Sequence, residues 1–285
     1  MSALAEVGLI IALAGGVLGL AIGSFLNVVV YRVPAGLSIV APPSACPRCG
    51  HRIRGFDNVP VLSWLVLRGR CRDCREPISA RYPAVELGTG VLFVIVVWRF
   101  LAGGASSDGT SAGATSVAIA TPLLIAFLYL AAVSVALALI DLDVRRLPNV
   151  VVLPSLVVAA ALMTLEGILS GDYSSLIRAG IAAVALFAFY FLLAFFYPGG
   201  MGFGDVKLAA LLGLYLGWLG WGNLIVGTFA AFLLGGLFGI GAMIFRKAGR
   251  KTAIPFGPWM LLGTWIGIFF GTAITAGYLA VLGLN

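Results

Sequence analysis

Residues 117–140, VAIATPLLIAFLYLAAVSVALALI, run without a charged side chain and end on Asp141, with Asp143 two positions further on. A stretch that long and that apolar is read as a membrane span, and only a helix satisfies its own backbone in hydrocarbon. The two carboxylates stand where the span leaves the bilayer. An ionisable group at that depth is costly without a partner and is a functional-site candidate by default. Asp205 holds the same kind of position in GMGFGDVKLAALLG, at the head of another apolar run. Two acids at membrane edges, distant in sequence, are candidates for one site.

The rest of the chain fits the same solvent. Of 285 residues 61% are hydrophobic and 10% charged, with a mean hydropathy of +1.09, a balance that demands several spans. Apolar segments are expected at 7–31, from 86 onward, and at 117–140, 150–165, 177–196, 208–219, 224–245 and 258–284. The expected fold is an all-α polytopic membrane protein of about eight transmembrane helices. A small polar domain is inserted between the first and second. Its organisation reads as a first helix at 1–31, a four-cysteine domain at 32–85 and a seven-helix membrane domain at 86–285. The segment 105–116, rich in Gly, Ser, Ala and Thr, is a loop.

Charge sets the orientation. A net charge of +7 invites a nucleic-acid reading, but the basic residues fall in blocks between apolar segments, the distribution that orients membrane proteins. With eight spans and the amino terminus outside, the loops at 32–85, 141–150, 197–207 and 246–255 face the cytoplasm. They hold 9, 2, 1 and 4 basic residues, sixteen of the eighteen. Arg99 and Arg178 flank spans near the outer side, where long stems snorkel. This places the cysteines, Asp141, Asp143 and Asp205 on one cytoplasmic face, with both termini outside.

The domain at 32–85 carries all four cysteines, the one His and nine arginines. Cys46-Pro-Arg-Cys49 and Cys71-Arg-Asp-Cys74, separated by 21 residues, have the spacing that wraps four thiolates around Zn²⁺ in a tetrahedron. Two disulfides are the alternative, disfavoured by the paired knuckles and the cytoplasmic side. Four sulfur ligands leave no open position, so the zinc is expected to be structural. Between the knuckles, Asp57-Asn58 with Pro60 reads as a turn and Val61 to Leu67 as a short strand or amphipathic segment.

Other positions have structural or functional readings. Gly15, Gly16, Gly19 and Gly23 are spaced so that a neighbouring helix can approach closely. Ser24 and Asn27 either bond a neighbouring helix or line a cavity. Glu86, at the head of the second span, favours the helix dipole, neutralises a basic group or contacts a ligand.

Two carboxylates brought together share a proton, so that one acts as a base on water while the other, protonated, polarises a carbonyl. That is aspartic-protease chemistry, and it needs no metal and no Ser or His nucleophile. One His excludes a mechanism that needs several, and the lack of His-Glu-x-x-His argues against a zinc protease built into the membrane. GGMGFG at 199–204 is not a nucleotide loop, because no Rossmann strand precedes it.

Six stretches carry a family resemblance: GSFLNVVVYRVP at 23–34, CPRC at 46–49, DNVPVLSWLVLRGRCRDC at 57–74, ISARYPAVEL at 78–87, LIDLDVRRLPN at 139–149 and GMGFGDVKLAALLG at 200–213. On them the chain resembles the bacterial type IV prepilin leader peptidases. The resemblance implies that Asp141, seven positions before Pro148, and Asp205, in Gly-x-Gly-Asp, are the catalytic pair, with Asp143 a neighbour. Asn149 stands where many relatives carry Asp. It also implies an inner-membrane enzyme cutting basic leaders after Gly, at the cytoplasmic edge, from precursors of type IV pilins and pseudopilins of pilus or secretion systems. The four cysteines go with N-methylation of the new amino terminus by S-adenosylmethionine, whose site is unassigned. The partners expected are the precursors, whose apolar helix has the Gly15 to Gly23 face as one candidate seat, and the lipid bilayer, with no nucleic acid.

Two rivals come from other classes. A proton-coupled transporter is expected to carry acids near the middle of spans and internal repeat symmetry; these acids lie at one edge and no repeat is evident. The other is a non-catalytic assembly factor with the zinc domain as a docking module.

Overall fold

A computed structural model describes residues 3–103, 114–197, 201–244 and 255–284. The expected basic loop with Arg246, Lys247, Arg250 and Lys251 lies outside them, as does most of the loop expected at 105–116. Among the described residues the fold is helical, with no β-strand and two isolated bridges. The long helices are α1 (Ala3–Arg32), α3 (Arg81–Gly103), α4 (Ala114–Val144), α5 (Asn149–Ser170), α6 (Tyr173–Phe196), α7 (Phe203–Leu219), α8 (Trp221–Ile244) and α9 (Gly257–Val281). Seven are long and apolar enough to cross a membrane; α7, with 17 residues, is shorter. Large apolar side chains such as Ile10, Val17, Ile225 and Phe229 are exposed, as a lipid solvent permits. The chain is therefore a multi-pass membrane protein.

The helices run past their expected ends, with consequences for the acids. Asp141 and Asp143 lie inside the last turn of α4, which closes where Arg145 adopts φ 53° and its N–H returns to the Asp141 carbonyl at 2.9 Å. Asp205 lies inside the first turn of α7 rather than before it. Glu86 is not at the head of its helix, since α3 begins five residues earlier at Arg81. Residues Leu62–Val66, for which a strand was one expectation, form a short helix, α2.

The chain divides into two compact units, 1–136 and 137–285, within α4. In the first, the glycine face of α1 is filled by α3. A Cβ added at Gly15 or Gly16 would meet Val97 or Val94, and one at Gly23 would come within 2.7 Å of the Glu86 backbone. With no hydrophobic drive between helices in lipid, such close approach is what holds a pair together. That face is therefore not open to a substrate helix. Asn27 extends the same junction, donating to the Tyr82 carbonyl at 3.2 Å, so it acts as a bond between helices. Leu26 and Val29 of α1 pack with Ala136 of α4.

In the second unit α7 is buried almost end to end and packs against α5, α6, α8 and α9. Gly213 and Gly217 let α6 approach, where a Cβ would collide with Ala182. Arg178, expected to snorkel, instead donates at 2.7 Å to the carbonyls of Gly217 and Trp218 at the end of α7. Gly263 and Gly267 bring α9 against α8, and buried Asn223 donates to the Gly267 carbonyl at 2.8 Å.

Candidate active site and metal centre

The four cysteines come together. Their sulfurs all lie within 4.8 Å of one another, and Cys46 Sγ is 3.7 Å from Cys74 Sγ. Zn–S bonds of about 2.3 Å give a tetrahedron edge of about 3.8 Å, so this cluster fits a thiolate-bound metal. A disulfide would need about 2.05 Å, and all four cysteines are free. The disulfide alternative is not what the fold contains.

The two knuckles repeat each other 25 positions apart. Cys46 N–H donates to the His51 carbonyl at 2.9 Å and Cys71 N–H to that of Glu76 at 2.8 Å. The bridges Ala45 to Arg52 and Arg70 to Pro77 flank them. After each second cysteine the chain turns through the left-handed region, at Gly50 (φ 72°) and at Arg75 (φ 62°). The backbone N–H groups of Cys49 and Arg48 favour the Cys46 thiolate, whose pKa falls to about 6. For Cys74 the N–H of Glu76 acts in that direction too, but desolvation and the other thiols outweigh it, raising it to about 12.

Asp57, in the turn between the knuckles, takes a bidentate grip from Arg72, with Nε at 2.8 Å from Oδ2. That guanidinium holds the Asp57 carboxyl below the usual range. Glu86 Oε2 accepts the Val61 N–H at 2.7 Å and is buried. It secures the start of α2, so the carboxylate is committed to the fold.

In the second unit Asp141 and Asp205 are 5% and 9% exposed and near enough to act on each other electrostatically. Asp143, on the opposite side of the helix, is exposed. Each buried acid is held by a glycine. Gly202, the N-cap of α7, donates its N–H to Asp205 Oδ2 at 3.1 Å, and Gly257 donates to Asp141 Oδ2, also at 3.1 Å. Leu147, in the turn after α4, backs both motifs. A Cβ at Gly204 would come within 2.9 Å of it and one at Gly257 within 3.5 Å. The second glycine of Gly-x-Gly-Asp is thus required by packing. Lys207 Nζ donates to Asn149 Oδ1 at 2.9 Å and lies 4.9 Å from the Phe203 ring.

Gly257 and Tyr190, a buried tyrosine within electrostatic reach of Asp205, are missed by motif reading, and Leu147 lies inside the stretch at 139–149 without a role being read for it. The Pro-Phe-Gly-Pro punctuation at 255–258 was the available signal for the first of them.

Two buried, separately anchored carboxylates at the ends of apolar helices are the arrangement that aspartic-hydrolase chemistry at a membrane would need. Residues 17–100 match the Bacterial Peptidase A24 N-terminal domain and residues 128–240 the Type IV leader peptidase family. The chain is 36% identical to a prepilin leader peptidase/N-methyltransferase of Pseudomonas putida, covering 94% of this chain and 93% of the relative. It is 36% identical to one of Aeromonas salmonicida, covering 92% of each. To one of Pseudomonas aeruginosa it is 35% identical over 94% and 93%. The chain belongs to the Type IV leader peptidase family. No solved structure matches it.

Proposed function

We propose that this chain is a membrane aspartic endopeptidase that removes the leaders of type IV prepilins and pseudopilins after Gly, then N-methylates the new amino terminus. The observation that carries the peptidase reading is the pair Asp141 and Asp205, buried together and each anchored through one oxygen. The other oxygens serve the reaction. One carboxylate takes a proton from water, which attacks the scissile carbonyl, while the protonated partner gives its proton to the developing oxyanion; the proton taken from water then passes to the leaving amine as the C–N bond breaks, and the partner recovers its own as the carbonyl re-forms. The distribution of basic residues supports a site at the cytoplasmic edge of the inner membrane with both termini outside. Within the chain we assign a first helix at 1–31, a cytoplasmic zinc domain at 32–85, whose last residues already enter α3 at Arg81, and a peptidase domain at 86–285.

Zn²⁺ is the metal we assign to Cys46, Cys49, Cys71 and Cys74, because four clustered thiols with this edge length suit its tetrahedral preference. It would stabilise the domain and take no part in cleavage. S-adenosylmethionine would supply the methyl group. The cavity of about 600 Å³ lined by Val66, Leu67, Arg68, Arg70, Arg72 and Arg75 offers guanidinium groups and no carboxylate. It suits an anion and does not fit a donor carrying a sulfonium and an ammonium, so the donor site is not placed there.

The test is cleavage of a synthetic prepilin by the detergent-solubilised protein, with mass measurement of the mature amino terminus. A product beginning after the leader Gly and one methyl heavier in the presence of S-adenosylmethionine is expected. An intact precursor would overturn the peptidase reading, and a cleaved but unmethylated product the methyltransferase one. A transporter would leave the precursor intact.

A further inference from the structure

α9 starts on an aromatic anchor followed by a glycine. Phe256, its N-cap, is seated on α8, where a Cβ at Gly235 would come within 2.8 Å of the ring. The ring lies 5.3 Å from that of Phe232 and 6.4 Å from that of Tyr190, and Tyr190 stacks on Phe232 at 5.5 Å. This cluster fixes where a 25-residue helix begins. The next residue, Gly257, is buried in the first turn, where a backbone N–H has no partner inside the helix. Its donor goes to Asp141 Oδ2, and a Cβ there would stand 2.8 Å from that same oxygen.

We propose that Gly257 is a positioning residue for the Asp141 carboxylate, holding it from the start of α9 as Gly202 holds Asp205 from the start of α7. This rests on the reading of Asp141 as one of the reacting acids. The physical need is plain. Asp141 sits on the last turn of α4, and an aspartate there has several rotamers open to it. A donor fixed by the Phe256 cluster selects one of them and leaves the second oxygen for the reaction. The helix terminus also favours negative charge at that point. Only glycine presents the N–H without displacing the oxygen that accepts it.

The test compares Gly257→Ala with Gly277→Ala, in the same helix but where a Cβ meets nothing within 4 Å. Misplacing a reacting group by about an ångström costs on the order of 10²-fold in rate. Gly257→Ala is expected to lower kcat by about that factor with KM nearly unchanged, and to move the acidic limb of the pH–rate profile; Gly277→Ala should match the wild type. Stability gives a readout independent of activity. The loss of Tm in Gly257→Ala should be largely relieved in Asp141→Ala/Gly257→Ala, which removes the atom the new Cβ meets. Where Gly257→Ala is too unstable to assay, Asp141→Ala should restore its folding. A wild-type kcat and pH profile in Gly257→Ala, or the same loss of Tm or of folding in both backgrounds, would overturn the proposal. If Asp141→Asn is inactive while Gly257→Ala behaves as wild type, positioning alone fails. If Asp141→Asn cleaves normally, the reading of Asp141 fails and carries this proposal with it.

Discussion

Asp141 and Asp143 stand two residues apart on the last turn of α4 and face opposite ways, the first buried and the second exposed. Two residues turn a helix by about 200°, so only one of them can face Asp205. Asp141→Asn and Asp205→Asn are each expected to reduce cleavage of a prepilin by on the order of 10³-fold or more, because an amide cannot share the proton. Asp143→Asn should retain most activity. An inactive Asp143→Asn beside an active Asp141→Asn, in one cleavage assay, would reverse the assignment.

The thiol cluster predicts zinc in the purified protein at one ion per chain. Changing Cys46, Cys49, Cys71 or Cys74 to Ser should release it and lower Tm, because metal binding in such small modules is folding free energy. Cleavage should fall less than in the aspartate variants. Elemental analysis finding no metal, with the thiols oxidised in pairs, would refute the assignment.

Much of this was legible in the sequence because membrane spans, cysteine knuckles and acids at helix ends are local patterns. What was not legible is where packing decided. Glu86 reads equally as a dipole residue or a ligand contact until the fold brings the Val61 N–H to it. The glycines of α1 read as a packing face, but only the fold shows that α3, and not a substrate helix, fills it. Arg178 reads as a snorkelling side chain, and its partners, the carbonyls of α7, lie about forty residues away. Gly257 is 116 positions from the acid it holds, and no local pattern joins them.

Glu86 gives a prediction against its ligand reading. With Oε2 committed to Val61, Glu86→Gln should discriminate between a normal leader and one with its basic residues changed to Gln as the wild type does, measured as the ratio of kcat/KM. Glu86→Ala should lower Tm, since it strands a backbone N–H worth about 1–3 kcal/mol when left unsatisfied. A collapse of leader discrimination in Glu86→Gln at unchanged Tm would restore the ligand reading.

Arg75 occupies the left-handed position that Gly50 fills in the other knuckle. An L-residue there costs roughly 1–2 kcal/mol, partly offset by the extra chain entropy a glycine loses on folding. Arg75→Gly should therefore raise stability by up to ~1 kcal/mol, and Gly50→Ala should lower it. Thermal unfolding of the metal-loaded protein checks both. A destabilised Arg75→Gly would mean that the arginine side chain contributes more than its backbone costs.

Asp172 yields a pH dependence whose sign can be worked out. It is the N-cap of α6, accepting from the Ser175 N–H at 3.0 Å and the Ser174 hydroxyl at 2.8 Å. Hydrogen bonds from Ser175, then Ser174, depress its pKa from 3.8 to about 2. A group whose folded pKa lies below its unfolded value binds its proton more readily in the unfolded chain, so it stabilises the fold at higher pH. The contribution is complete above the ordinary carboxylate range and disappears as pH falls from about 4 through about 2. Asn caps a helix nearly as well as Asp and does not titrate, whereas Ala loses about 1 kcal/mol. Asp172→Ala should thus lower Tm at neutral pH. The difference in Tm between wild type and Asp172→Asn should shift against the wild type on acidification through that window. Because the cap lies between α5 and α6, away from Asp141 and Asp205 in sequence, neither variant should change cleavage at neutral pH beyond its effect on folding. A wild-type minus Asp172→Asn difference that stays flat from pH ~5 to ~2 would mean that the carboxylate charge contributes nothing to the cap.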